Sequence, residues 1–185
     1  NSGGSGALSP GTLAEDSAHG FTAWTNPGNA AASDDSYATA AMTTSMATHY
    51  LKATNFGFAL AVGSVIEGIL VEVEKKATAA FGSGADSRVR IVKGGTVGST
   101  DKATGTTWPA ADAYVQYGGV ADLWGETWSY SDINASTFGV VIAAVTGSVG
   151  ETASVDHIRI TVFYSPGAAQ SVVPVIMSQY RRNKV

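Results

Sequence analysis

Apolar and polar positions alternate with a period of two along much of this chain. From Ile66 to Glu74, Ile69, Val71 and Val73 interleave with Gly68, Leu70, Glu72 and Glu74, the pattern of a half-buried antiparallel strand. Arg88 to Lys93 repeats it, Val89 and Ile91 facing one way and Arg88 and Arg90 the other. Asp156 to Tyr164 gives the strongest case, with Ile158, Ile160 and Val162 set against His157, Arg159 and Thr161. Phe138 to Val145 is apolar on both parities and reads as a strand buried on both faces. Shorter runs, Phe56 with Phe58 around Gly57 and Ala113 to Gly119, add to the series.

Turn chemistry separates these runs: Pro27 and Gly28 in TNPGN, the small-residue loop FGSGAD, Gly94 and Gly95 before an edge-like segment, Trp108-Pro109, and Gly125 between Trp124 and Trp128. Ser131, Asp132 and Ile133 fit one helical turn, and Tyr37 to Thr48 reads as strand and loop because Thr and Ser dilute its helix formers. Roughly seven to nine short strands at near-regular spacing, without a long helix, predict an all-β, antiparallel jelly-roll-like sandwich. No repeat of propeller or solenoid length is present.

Three regions follow from this pattern. Residues 1–20 open on NSGGSGALSPG and read as a flexible leader, or a strap ordered by a partner. Residues 21–164 carry the sandwich. Residues 165–185 are a linker, SPGAAQ, and then the strand-like SVVPVIMSQY. That last strand has Val173, Val175 and Met177 on one parity and Val172, Ile176 and Tyr180 on the other, so both faces are apolar. It must close its own sheet or add to a neighbour's. Burying about five such side chains at roughly 1.5–3 kcal/mol each is on the order of 10 kcal/mol before ordering costs, enough to hold a subunit contact. Pro174 deletes one ladder donor and favours an edge position.

Composition narrows the function more than it names it. The chain has 185 residues, of which 44% are hydrophobic and only 14% charged, which suits one main core under a hydroxyl-rich surface. A net charge of −4 gives no basic field, so nucleic acid is not an expected partner. With no cysteine, disulfides, thiolate metal sites and cysteine nucleophiles are excluded together. The apolar runs around Phe56 to Val73 are interrupted by Gly57, Gly63, Glu67 and Gly68, so no membrane-spanning helix is expected. A first residue other than Met suggests removal of an upstream segment, as in signal-peptide cleavage, virion-type maturation or trimming.

The series TAWTNPGNAAASDDSYATA, YLKATNFGFAL, IEGILVEVEKKA, DSRVRIVKGGTVGS, DLWGETWSYSDINASTFGVVI and VDHIRITVFY resembles jelly-roll-like sandwich domains of tailed-phage virion proteins and large prokaryotic surface proteins. The resemblance runs from Phe21 to Tyr164 and implies a sandwich fold and an extracellular, cell-surface or virion setting. A second similarity is to prokaryotic surface-filament subunits that lend a terminal strand to the next subunit. There only the layout corresponds.

Candidate sites are few. His19, His49 and His157 lie far apart in sequence with no nucleophile motif around them, and His157 falls on the polar parity of its strand, which predicts a surface histidine. Gly94, Gly95 and Gly98 make no phosphate cradle, since no helix follows. Asp34 and Asp35, with Asp86 in a separate loop, are candidate Ca²⁺ ligands; the alternative is that they cap turn amides. Trp108, Trp124 and Trp128, with Trp24, Tyr114, Tyr117 and Tyr130, raise a sugar-stacking alternative, though aromatics of this size more often fill cores. Asn134-Ala135-Ser136 fits a glycosylation acceptor pattern. The expectation is a non-enzymatic building block of an extracellular filament or surface assembly, joined to itself or a related subunit through Val172, Val173, Val175, Ile176 and Met177. A phage decoration or tail protein and a carbohydrate-binding module are the alternatives.

Overall fold

The computed structural model describes residues 3–42, 46–78, 84–146 and 149–167. They form two five-stranded antiparallel sheets packed face to face, an all-β sandwich. The strands are β1 (Gly3–Gly4), β2 (Thr12–Asp16), β3 (Ala38–Ala41), β4 (Tyr50–Thr54), β5 (Val65–Ala77), β6 (Ala85–Lys93), β7 (Thr96–Val97), β8 (Ala113–Gly119), β9 (Gly139–Val145) and β10 (Thr152–Ser165). The first sheet runs β1-β10-β5-β8, with β3 pairing the opposite end of β10 on the same side as β1. The second runs β2-β4-β9-β6-β7.

Alternation builds the core as expected. Ile69, Val71 and Val73 of β5 and Ile158, Ile160 and Val162 of β10 face Leu51 and Ala53 of β4, Val89 and Ile91 of β6, and Val140 and Ile142 of β9. The other face of the second sheet is also covered: Tyr50, Val92, Val141 and Ala143 form a smaller cluster with Val97. This explains why β9 reads as apolar on both parities.

Among the described residues the ladders shift register at three places, one of them between Phe163 and Tyr164, and the other two turn side chains of the core. One lies between Asp86 and Arg88, where Ser87 is the extra residue and Asp86 comes opposite Ala144 on the inner face. The other lies between Val155 and His157, with Asp156 extra, so that Val155 and Ile158 both point inward.

The short helix α1 (Tyr130–Asn134) appears where one turn was expected. Ser129 caps it: its hydroxyl accepts from the Asp132 amide while the Asp132 carboxylate accepts from the Ser129 amide, a capping box. Pro27 and Gly28 fall in a 3₁₀ turn, Pro27–Ala30.

Two expectations need correction. Residues 3–16 are not a free leader or a strap waiting for a partner: β1 pairs Tyr164 and Phe163, Leu8 bridges Ile160, and β2 pairs the whole of β4. Glycine allows close approach at Gly11, where a side chain would come within 2.8 Å of the Asn55 carbonyl. Phe56 and Phe58, although alternating, form no ladder. Asn55 and Gly57 both take positive φ, 59° and 74°, which breaks an extended run, and the two rings pack with Phe138 instead. The strand-like segment 171–180 lies outside the described residues.

Candidate functional site

A subunit that joins others through strand addition needs a sheet edge able to receive a strand. On the outer side of β10 the backbone is occupied by β1, β3 and the bridges at Leu8 and Ala31. On the outer side of β6, β7 pairs the end of the strand, the Gly98 and Lys102 amides donate to Ile91 and Val89 carbonyls at 2.8 Å, and the Val89 amide donates to the Asp101 carboxylate. The outer strand β2 lies against the 3₁₀ turn Pro27–Ala30. β8 differs, because its seven residues pair only with β5 among the described residues. Its sequence, AYVQYGG, holds no Lys, Glu, Asp or Pro, the residues that usually protect an edge from pairing. Val115 and Tyr117 face inward from it, and Tyr114 and Gln116 face outward.

The tryptophans do not form a stacking surface. Trp124 is fully buried, with its indole N–H donating to the Ile69 carbonyl at 3.0 Å, and Trp24 is buried with its N–H on the His49 carbonyl. Trp128 packs edge-on against Phe138 and donates to Leu123, while Trp108 is buried against Asp86. The sugar-stacking assignment to Trp108, Trp124 and Trp128 is therefore corrected: their area and their N–H groups serve the core. Tyr130 is likewise packed on it. The Asn134 side chain is engaged at both ends, accepting from the Leu60 amide at 2.8 Å and donating to the Leu60 carbonyl at 2.9 Å, so it clamps the 55–64 loop to α1.

Asp34 and Asp35 remain in a turn, and Asp86 is not with them. The Asp34 and Asp35 amides donate to the Asp156 carboxylate at 3.4 and 3.2 Å, Asp34 accepts from the Ser36 amide, and Asp35 takes a left-handed φ of 62°. These carboxyl groups organise a turn. Among the described residues no group of three or more His, Cys, Asp or Glu side chains is placed to hold a metal ion.

His157 is not on the surface. Its parity is outward, as predicted, but the amino-terminal segment covers that face: Ser9 Oγ lies 2.8 Å from Nε2 and Tyr114 Oη 2.8 Å from Nδ1. Burial, then the neighbouring Arg159 charge, holds its pKa below the ordinary 6.5. The unfolded chain thus binds a proton that the folded chain refuses, so stability should fall as pH drops below about 6.5. Thermal melts across that range are expected to show this loss, and His157→Gln should flatten it; an unchanged slope would assign the effect to His19, whose pKa is also lowered by burial. His49 pairs with Glu15, fastening β2 further.

The outer face of the first sheet carries a polar strip. Arg159 makes a two-pronged contact to Glu72 at 2.8 and 3.2 Å, Gln116 donates to the same carboxylate, and the guanidinium lies 4.0 Å over Tyr114. Beyond it, Tyr37 and Lys76 both donate to Asp112, and that contact pushes the Tyr37 phenol up to about 12.

A second polar group lies inside the sandwich, and of the expected site residues it takes in Asp86 and two of the aromatics, Trp108 and Tyr117. Lys75 lies on the apolar parity of β5 with Val71 and Val73 and is 1% exposed. Its ammonium reaches across to β6 in the opposite sheet, 2.5 Å from Asp86 Oδ1, and also contacts Tyr117 Oη and the face of Trp108 at 4.3 Å. Asp86 accepts further hydrogen bonds from the Trp108 indole at 2.8 Å, Tyr117 at 2.8 Å, and the Thr104 amide and hydroxyl at 3.2 and 3.3 Å. Burial pulls the Lys75 pKa down despite the carboxylate, and pushes the Tyr117 phenol up. Lys75 shares the inward parity of Val71 and Val73, and the bulge turns Asp86 inward to meet it.

No family model and no characterised protein sequence matches this chain. Among solved structures it is similar to the CBM22-1 xylan-binding domain of Paenibacillus barcinonensis Xyn10C, at 12% identity and a TM-score of 0.40 over 84% of this chain and 92% of that one. A CBM4 structure gives 12% and 0.35 over 88% and 92%. The amino-terminal cellulose-binding domain of Cellulomonas fimi β-1,4-glucanase C gives 11% and 0.32 over 89% and 95%. These three are carbohydrate-binding domains and not virion or filament proteins.

Proposed function

We propose that this chain is a non-enzymatic building block of an extracellular, cell-surface or virion assembly, in which residues 171–180 of one copy add as a strand to β8 of another. The observation that carries the reading is the pairing of a doubly apolar terminal segment, SVVPVIMSQY, with a sandwich whose sheets and core, among the described residues, are built from residues 3–165. The uncharged outer edge of β8 supports it as the receiving site. Backbone hydrogen bonds supply generic affinity, and Val172, Val173, Val175, Ile176 and Met177 supply fit. A head-to-tail contact of this kind does not use the same patch twice, so it propagates into a filament unless the rotation closes a ring.

Removing residues 168–185 is expected to leave the melting temperature and circular dichroism of the domain unchanged while abolishing polymer in electron micrographs and sedimentation. Polymer formed by the truncated chain would overturn the reading. A phage decoration or tail subunit is the same mechanism in another particle, distinguished by co-isolation with DNA-containing particles.

A carbohydrate-binding role is the second reading, and the feature that favours it is the polar strip of Glu72, Gln116, Arg159 and Tyr114 on the outer face of the first sheet. Glycan-array binding lost in Arg159→Ala would support it.

A further inference from the structure

We propose that Lys75 and Asp86 are the two ends of an intramolecular amide cross-link, formed by condensation of the lysine amine with the aspartate carboxyl group and joining the two sheets through the core. The inference is independent of how the chain assembles. It rests on a nucleophile and an electrophile held together where water is excluded: both side chains are almost fully buried, and Nζ lies 2.5 Å from Oδ1. The carboxyl carbon is at most one carbon–oxygen bond further away, close to the roughly 3–3.5 Å from which reacting atoms attack.

An ion pair in such a site is costly in desolvation, and proton transfer from the ammonium through Tyr117 to Oδ2 gives a neutral amine and a neutral acid protonated on Oδ2, the reactive forms. The lowered Lys75 pKa, caused by burial, runs in the same direction.

The groups around the pair match the steps. Nζ attacks Cγ and the Nζ–Cγ bond forms, while the carbonyl electrons move onto Oδ1, where the Trp108 indole N–H donates at 2.8 Å. Tyr117 Oη contacts Nζ on one side and donates to Oδ2 at 2.8 Å on the other. It can therefore take a proton from nitrogen as it passes its own to Oδ2. The Cγ–Oδ2 bond then breaks, and Oδ2 leaves as water with the Thr104 amide and hydroxyl beside it. One amide and one water result, with no oxidant or reductant required. The nearby ring faces, Trp108 at 4.3 Å and Tyr117 at 5.1 Å from Nζ, fix the lysine against swinging away. A chain with no cysteine gains by this route the covalent sheet-to-sheet tie that a disulfide provides elsewhere.

Intact-mass spectrometry of the folded, then denatured, full chain is expected to read one water less than the sequence mass. Proteolysis should yield a branched peptide containing both Lys75 and Asp86. Lys75→Arg keeps the cation but cannot condense in this way and should read the full mass. Tyr117→Phe, which keeps the ring but removes the proton relay, should slow the appearance of the cross-linked species in a time course after synthesis. Full mass and separate Lys75 and Asp86 peptides from the folded wild-type chain would overturn the proposal, and so would a one-water deficit that persists in Lys75→Arg.

Discussion

Replacing Asp86 with alanine is expected to be the most damaging single change in the core. Lys75 would keep a buried ammonium with no carboxylate, while the Trp108 indole, the Tyr117 phenol and the Thr104 amide would lose their acceptor together. Removing one member of a buried pair typically costs about 3–5 kcal/mol. For a domain of this size each kcal/mol is roughly 2–4 °C, so a fall in melting temperature of roughly 6–20 °C is expected. Lys75→Met should cost much less, because Asp86 keeps its three neutral donor side chains and the methionine fills the same space. Calorimetry of the two variants checks the asymmetry. Equal losses would mean that the shape of the site, rather than an unpaired charge, sets its contribution. The comparison holds whether the wild-type pair is ionic or condensed, since both variants lack the cross-link.

The elements were legible wherever a single face was buried. Ile69 to Val73, Val89 to Ile91 and Ile158 to Val162 each alternate cleanly, and each is a strand with those side chains inward. Legibility stopped where burial came from a distant part of the chain. His157 has the outward parity its neighbours predict, but Ser9 and Tyr114 cover it, and nothing near residue 157 announces that a glycine-rich segment near the amino terminus will lie there. Composition misled for the same segment, because glycine and serine suit both a flexible tail and a strand laid close against a sheet. Bulges were the other blind spot. Counting by twos from Val89 puts Ser87 inside, and the extra residue in β6 is what turns Asp86 inward instead. The tryptophans were recognisable as core material or as a platform, and only their partners decide between those uses: three of the four N–H groups end on main-chain carbonyls and the fourth on a buried carboxylate.

Pro174 turns the proposed strand addition into a register prediction. In a β-strand the N–H and C=O of one residue point to the same side and those of the next residue to the other. Pro174 has no N–H, so its backbone must face away from the receiving edge, and Val172 and Ile176 share that direction. Val173, Val175 and Met177 then make the ladder to β8. Val175→Pro should remove a ladder donor on the bonded side and weaken the subunit contact by about 3 kcal/mol, roughly two decades in dissociation constant. Ile176→Pro, on the side of Pro174, should retain most of the affinity, losing only side-chain packing. Sedimentation velocity over a concentration series separates the two. Equal damage from both would exclude this register, and no damage from either would show that the terminal segment does not add as a strand. The same geometry carries a second consequence. Pro174→Val restores the missing donor on the outward side, leaving an added strand that is itself an unprotected edge, so under the proposed strand addition lateral bundling is expected for Pro174→Val and not for the native sequence.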